Sequence, residues 1–170
     1  VYLLMVISAL IIAGGLGFIV WRDVLKYHRV KKITLHSKIA LSVTGILLVG
    51  GFLLFFFTER NGMTLVKGSV VEKLANTFFM SVTPRTAGYY SVDYFQMSHA
   101  GLILTMFLMY IGGTSGSTAG GLKTTTLGVL FIQMHAMFKG KTRAEAFGRT
   151  IRQATVLRAL TLFFVTLLLC

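Results

Sequence analysis

Two stretches of this sequence combine residue types and spacing that suit the handling of an ion. The first is "SVTPRTAGYYSVD", residues 81–93, in which Thr86, Ala87, Gly88 and Tyr89 follow a run of helical periodicity. A bare cation crossing a membrane needs a replacement for its hydration shell, and rings of backbone carbonyls supply one in potassium filters. Aiming successive carbonyls at one axis requires backbone angles that Gly adopts cheaply. A short helix that ends there adds about half a negative charge near the ion. Alone, the tetrapeptide also fits an external loop with one turn glycine. The short helix before it and the apolar spans around it favour the filter.

The second is "GGTSGSTAGGLKTTT", residues 112–126, where twelve of fifteen residues are Gly, Ser or Thr and Lys123 is charged, although apolar sequence flanks it on both sides. A continuous helix through it would lose up to about 1 kcal/mol per Gly relative to Ala. A broken helix lining a water-filled path accounts for it better. Close packing through small residues explains isolated glycines such as Gly14, Gly15, Gly17, Gly50 and Gly51, but not a run of this length. A nucleotide P-loop is excluded: Gly116 and Gly121 have the spacing, yet Leu122 stands where the Lys must be and Lys123 comes one position late. Lys123 lines or gates the path, as intramembrane charge commonly does, or caps carbonyls of the broken helix, or reaches the cytoplasmic water. Arg85 reads as a structural anchor, with Asp93 as candidate partner, because a cation in a cation filter would repel. His28, His36, His99 and His135 lack metal-ligand spacing, and Met106, Met109, Met134 and Met137 read as packing.

Composition sets the solvent in which these stretches must work. The 170 residues are 55% hydrophobic and only 13% charged, with a mean hydropathy of +0.76. Soluble domains carry about 25% charged residues, so this is an integral membrane protein. The single cysteine, Cys170, excludes an internal disulfide and a Cys-based zinc site. No paired carboxylates fall within the apolar segments, which leaves a membrane enzyme without support.

Residues 1–21 and 39–58 are uncharged and long enough to span, with Trp21 expected at an interface. Residues 69–82 form a helix of only about 14 residues, roughly 20 Å at about 1.5 Å per residue, too short to cross. It is either an amphipathic surface helix or a re-entrant one that returns as an extended strand, and "TPRTAGYY" stops it. Residues 94–138 hold one charge, Lys123. A last span starts near Thr155. The net charge of +12 is not spread evenly: residues 21–38 and 139–158 each carry a net +5, and residues 59–99 a net +1. This is the positive-inside pattern and makes the two basic segments cytoplasmic; a nucleic-acid partner is not implied. An odd number of crossings must then join 59–99 to 139–158, and one crossing broken at the small-residue run satisfies this. Span, pore helix, filter strand, span is the plan of a potassium-channel-like pore.

"TPRTAGY" and "GGTSGSTAGGLKTTT", in this order and about 25 residues apart, resemble the third repeat of the Ktr/Trk/HKT potassium-transporter superfamily, most closely a bacterial Ktr-type membrane subunit. The resemblance implies an all-α membrane fold built from helix–pore helix–filter strand–helix repeats, and an internal piece of a longer chain. In these terms 1–21 is the last helix of the preceding repeat, 22–38 a cytoplasmic loop, and 39–138 a complete repeat. Residues 139–154 are a second cytoplasmic loop, and 155–170 start the next repeat. It places a filter strand at Thr86, Ala87, Gly88 and Tyr89. It places a gating loop at Gly112, Gly113, Thr114, Ser115, Gly116, Ser117, Thr118, Ala119, Gly120 and Gly121, with Lys123 at a commonly basic position. Tyr89 departs from the Phe more usual there. The implied function is K+ uptake across the bacterial inner membrane, with Na+ as candidate coupling ion and no organic cofactor on this chain. The implied partners are the lipid bilayer, the other pore repeats, a cytoplasmic nucleotide-binding regulatory subunit and a second copy in a homodimer. A secondary transporter with a broken-helix site for another small solute is the alternative.

Overall fold

The uncharged run at the start of the chain forms α1, Tyr2–Val30, and the second forms α2, Leu35–Thr58. Both are apolar enough and long enough to cross a bilayer. The computed structural model describes residues 1–31, 33–59, 69–85, 87–89, 91, 97–140, 145–146 and 149–169. α1 runs past Trp21 through basic sequence, so the helix covers part of the expected 22–38 loop and the connection to α2 shrinks to residues 31–34. Asp23 explains why. It is buried in α1 and accepts hydrogen bonds from Ser37 Oγ at 2.7 Å and from the Thr34 hydroxyl. Thr34 is also the N-cap of α2 and accepts from the Ser37 N–H. One carboxylate therefore holds the two helix ends together, and Lys31, at φ 50°, closes α1 in a left-handed turn.

α3, Val70–Val82, starts at Ser69, whose N–H donates to Glu72 Oε2 at 3.0 Å in a capping box. Val70 and Val71 in its first turn are exposed, while Phe79, Met80, Ser81 and Val82 at its end are buried. The helix thus drives its C-terminal end into the interior. α2 receives it at Gly51, where a Cβ would stand 2.5 Å from Ser81 Oγ. Ser81 in turn donates to the Leu48 carbonyl at 2.9 Å.

The segment 99–138 forms two helices, α4, His99–Tyr110, and α5, Thr124–Phe138. At about 1.5 Å per residue they measure roughly 18 and 22 Å; neither alone matches a hydrocarbon core of about 30 Å. Buried Glu59, just past α2, accepts from the N–H and hydroxyl of Ser98, the N-cap of α4, at 3.0 and 2.6 Å. α5 lies on α2 through Gly128, where a Cβ would meet Ile39 at 2.5 Å. A two-residue ladder, β1 Glu145–Ala146 with β2 Arg149–Thr150, precedes α6, Gln153–Leu169. The interior divides into two clusters. Phe55, Met80, Met97 and Leu108 lie beneath α3, and Ile39, Val129, Ala136, Ile151, Val156 and Ala159 join α2, α5 and α6.

Candidate functional site

After α3 the chain turns at once. Arg85 N–H donates to the Val82 carbonyl and Ala87 N–H to the Thr83 carbonyl, at 3.3 and 3.2 Å. Gly88 then takes φ 74°, in the left-handed region where a side chain is strained. The buried Thr83 hydroxyl donates to the Tyr89 carbonyl and fastens the far end of the turn to its start. Among the described residues the carbonyls of Ala87 and Gly88 receive no backbone hydrogen bond. Thr86 and Asp93 lie outside the described residues. Ala87 and Tyr89 line a cavity of about 400 Å³, whose wall also includes Gly14 and Gly15 of α1, Arg85, and Thr118 and Ala119 of the small-residue run. The larger cleft, about 730 Å³, is apolar and lined by α2, α4, α5 and the short ladder, with none of residues 112–121 in its wall.

The run from Gly112 to Lys123 is non-helical and docks on α1. At its base Gly112 N–H donates to the Leu122 carbonyl at 2.9 Å, Leu122 N–H to the Tyr110 carbonyl at 3.0 Å, and Thr124 N–H to the Gly113 carbonyl at 3.0 Å. The two sides meet so closely that a Cβ on Gly112 would overlap the Gly120 carbonyl. Lys123 Nζ donates to the Ala119 carbonyl at 2.5 Å, so the ammonium caps the broken backbone, and Ser115 Oγ lies 2.9 Å from Thr125 Oγ1.

The dock has a specific cause in α1. Gly17, at φ 68° and ψ 164°, breaks that helix in a region essentially restricted to Gly. A continuous helix would pair the carbonyls of Ala13, Gly15 and Leu16 with the N–H groups of residues 17, 19 and 20. The break frees them, and each finds another donor. Trp21 Nε1 reaches back to Ala13 at 2.8 Å, Thr114 N–H serves Gly15 at 2.9 Å, and Thr114 Oγ1 serves Leu16 at 2.6 Å. In exchange Phe18 N–H donates to the Gly116 carbonyl at 3.3 Å. The broken segment between α4 and α5 thus completes the broken helix α1.

Arg85 is 8% exposed, and among the described residues its Nε has no partner. A small cavity of about 10 Å³ beside it is also lined by Gly15, Gly113 and Thr44, whose Oγ1 likewise has no partner among the described residues. About 10–15 Å³ suffices for one water, which here would meet two polar atoms. Among the described residues no three His, Cys, Asp or Glu side chains gather as a metal site would require.

This arrangement has counterparts. The profile of TrkH, described as a cation transport protein, matches residues 1–170. The chain belongs to the TrkH family. It is 87% identical over 170 residues to the potassium/sodium uptake protein NtpJ of Enterococcus hirae, covering all of this chain and 38% of that protein. It is 38% identical over 164 residues to the Ktr system potassium uptake protein B of Bacillus subtilis, covering 96% of this chain and 37% of that one. The potassium transporter TrkH from Vibrio parahaemolyticus superposes with a TM-score of 0.71 at 18% identity, over 95% of this chain and 36% of its own, which establishes the shared fold. The chain therefore spans under two-fifths of the relatives it matches. As a TrkH-family chain it is a multi-pass integral membrane protein, and its relatives are transporters, not enzymes.

Within this TrkH-family chain, inspection of the sequence identifies the small-residue run but misses its seat. "AGGLGF" reads as packing glycines, and Trp21 reads as an interfacial anchor, whereas the indole N–H caps a kinked helix. The signal available was a Gly-rich span with a Trp four residues after its last Gly. Its partner Thr114, 98 residues from Leu16, could not be inferred from local sequence.

Proposed function

We propose that this chain is the third-repeat region of a K+ uptake transporter, with a backbone-carbonyl filter at Thr86, Ala87, Gly88 and Tyr89 and a gate formed by Gly112 to Gly121 with Lys123. The observation that carries the reading is one cavity with two functional walls: Ala87 and Tyr89 on one side, Thr118 and Ala119 on another. α3 ends beside it, and its C-terminal dipole supplies about half a negative charge toward a cation. Gly88 takes φ 74°, and among the described residues no backbone N–H claims the carbonyls of Ala87 and Gly88, which supports their use by an ion. The Tyr89 carbonyl is held by Thr83, so its contribution is to fix the strand. The names of relatives, potassium/sodium uptake protein and Ktr system potassium uptake protein, support K+ as cargo with Na+ as a second ion. Resemblance to the Ktr type further supports a homodimer and a cytoplasmic nucleotide-binding regulatory subunit.

The test is K+ and Na+ flux by the complete transporter, with and without its regulator, at matched expression. Deleting residues 116–118 removes the tip of the loop and leaves its paired base. Maximal K+ flux should rise and regulation weaken, with the K+ to Na+ ratio nearly unchanged. Loss of selectivity with regulation intact would exchange the two assignments. Uptake that saturates with an organic solute instead of K+ would favour the secondary-transporter reading.

A further inference from the structure

We propose that Arg85 is a specificity-determining residue whose fixed charge keeps divalent cations out of the cavity between filter and loop. The inference rests on the ion-pathway reading above. Arg85 borders both the cavity of about 400 Å³ shared by Ala87, Tyr89, Thr118 and Ala119 and the small one shared by Thr44 and Gly113. No Asp or Glu is among the described residues lining either cavity. A guanidinium stays protonated at every physiological pH. Buried at 8% exposure, its field is weakly screened by salt.

The competing charge is the C-terminal end of α3. It amounts to about half a negative charge, against a full positive one on Arg85, so among the described groups the wall is net positive by about half a charge. Coulomb energy is proportional to the charge of the passing ion. A penalty of about tenfold for a monovalent cation therefore becomes about a hundredfold for a divalent cation at the same place. Filter carbonyls attract both kinds of ion, and the attraction to a divalent ion of K+ size is the greater. A positive wall corrects that preference while leaving K+ able to pass. The arginine that ought to repel a cation is, on this account, present because it repels.

Ba2+, which has nearly the size of K+, is the probe. Rb+ uptake by the complete transporter in proteoliposomes is measured against increasing Ba2+ for wild type, Arg85→Lys, Arg85→Gln and Thr118→Asp. Arg85→Gln should lower the half-inhibiting Ba2+ concentration about tenfold or more. Thr118→Asp, which sets a negative charge on the same cavity with Arg85 intact, should do likewise, and Arg85→Lys should stay within about twofold of wild type. Unshifted inhibition in Arg85→Gln, or a sensitivity in Arg85→Lys equal to that of Arg85→Gln, overturns the proposal. If Arg85→Gln does not fold, an unshifted Thr118→Asp overturns it. Absence of Rb+ uptake by the wild-type protein removes the ion-pathway reading instead, so the two failures are distinguishable.

Discussion

Thr114 Oγ1 donates to the Leu16 carbonyl at 2.6 Å, and Thr114 N–H donates to Gly15, so one residue of the small-residue run repairs two of the bonds lost in α1. Thr114 is fully buried, so water cannot substitute. Thr114→Val keeps the shape and removes the hydroxyl. It should destabilise the protein by about 1–3 kcal/mol, the usual cost of an orphaned buried acceptor, while Thr114→Ser should cost less. Thermal unfolding of the purified transporter in detergent distinguishes them; equal melting temperatures for Val and wild type would remove the repair role.

Gly17 is the other half of the dock. A Cβ there would stand 2.6 Å from the Gly116 backbone carbon, and its φ of 68° disfavours any side chain. Gly17→Ala should straighten α1 or push the loop off, at a backbone cost of roughly 1–3 kcal/mol before any clash. Ser117→Cys introduced in both backgrounds reports the outcome. Faster labelling by a water-soluble thiol reagent in the Gly17→Ala protein is expected; equal rates would show that the loop does not depend on the kink.

Gly88 is a cleaner case, because among the described residues nothing lies within 4 Å of an added Cβ and the backbone angle of φ 74° is what resists. Gly88→Ala should therefore fold, yet shift the strand by a strain of roughly 1–2 kcal/mol. Each 1.4 kcal/mol lost from K+ over Na+ preference is about tenfold. A fall of this order in the ratio of Rb+ to Na+ uptake is the expected result, and an unchanged ratio at normal expression would return Gly88 to an ordinary turn.

Much of this was open to inspection in the sequence, because local rules decided it. α3 announces itself by the apolar periodicity that runs into Val82. The interruption at 112–123 follows from nine Gly, Ser and Thr residues in twelve, a run that no helix would keep. What escaped depended on distant partners. Gly17 breaks its helix only because Thr114 and Gly116 replace the lost bonds. Asp23 and Glu59 were counted as loop charges, yet both are buried, since each caps the start of a following helix.

Glu59 offers a test of that last point. It accepts two hydrogen bonds from Ser98, and a Cβ on Gly101 would intrude to 2.4 Å from Glu59 Oε1. Glu59→Ala should lower stability by about 1–3 kcal/mol by stranding the Ser98 donors. Gly101→Ala should be harmful in wild type and better tolerated beside Glu59→Ala, which frees the space. Purely additive melting shifts for the pair would contradict the contact.

The paired stem at the base of the small-residue run separates two quantities that are usually tied. Gly112 to Leu122, Leu122 to Tyr110 and Thr124 to Gly113 close the chain on itself before the tip begins. Residues 113–121 therefore form a bight on a fixed clasp. Adding or removing residues beyond the clasp changes how far the tip projects, not where α4 ends or α5 starts. Loop reach and the frame of α4 and α5 become independent variables, so a change of loop length beyond the clasp is felt at the seat on α1 and not at the ends of α4 and α5.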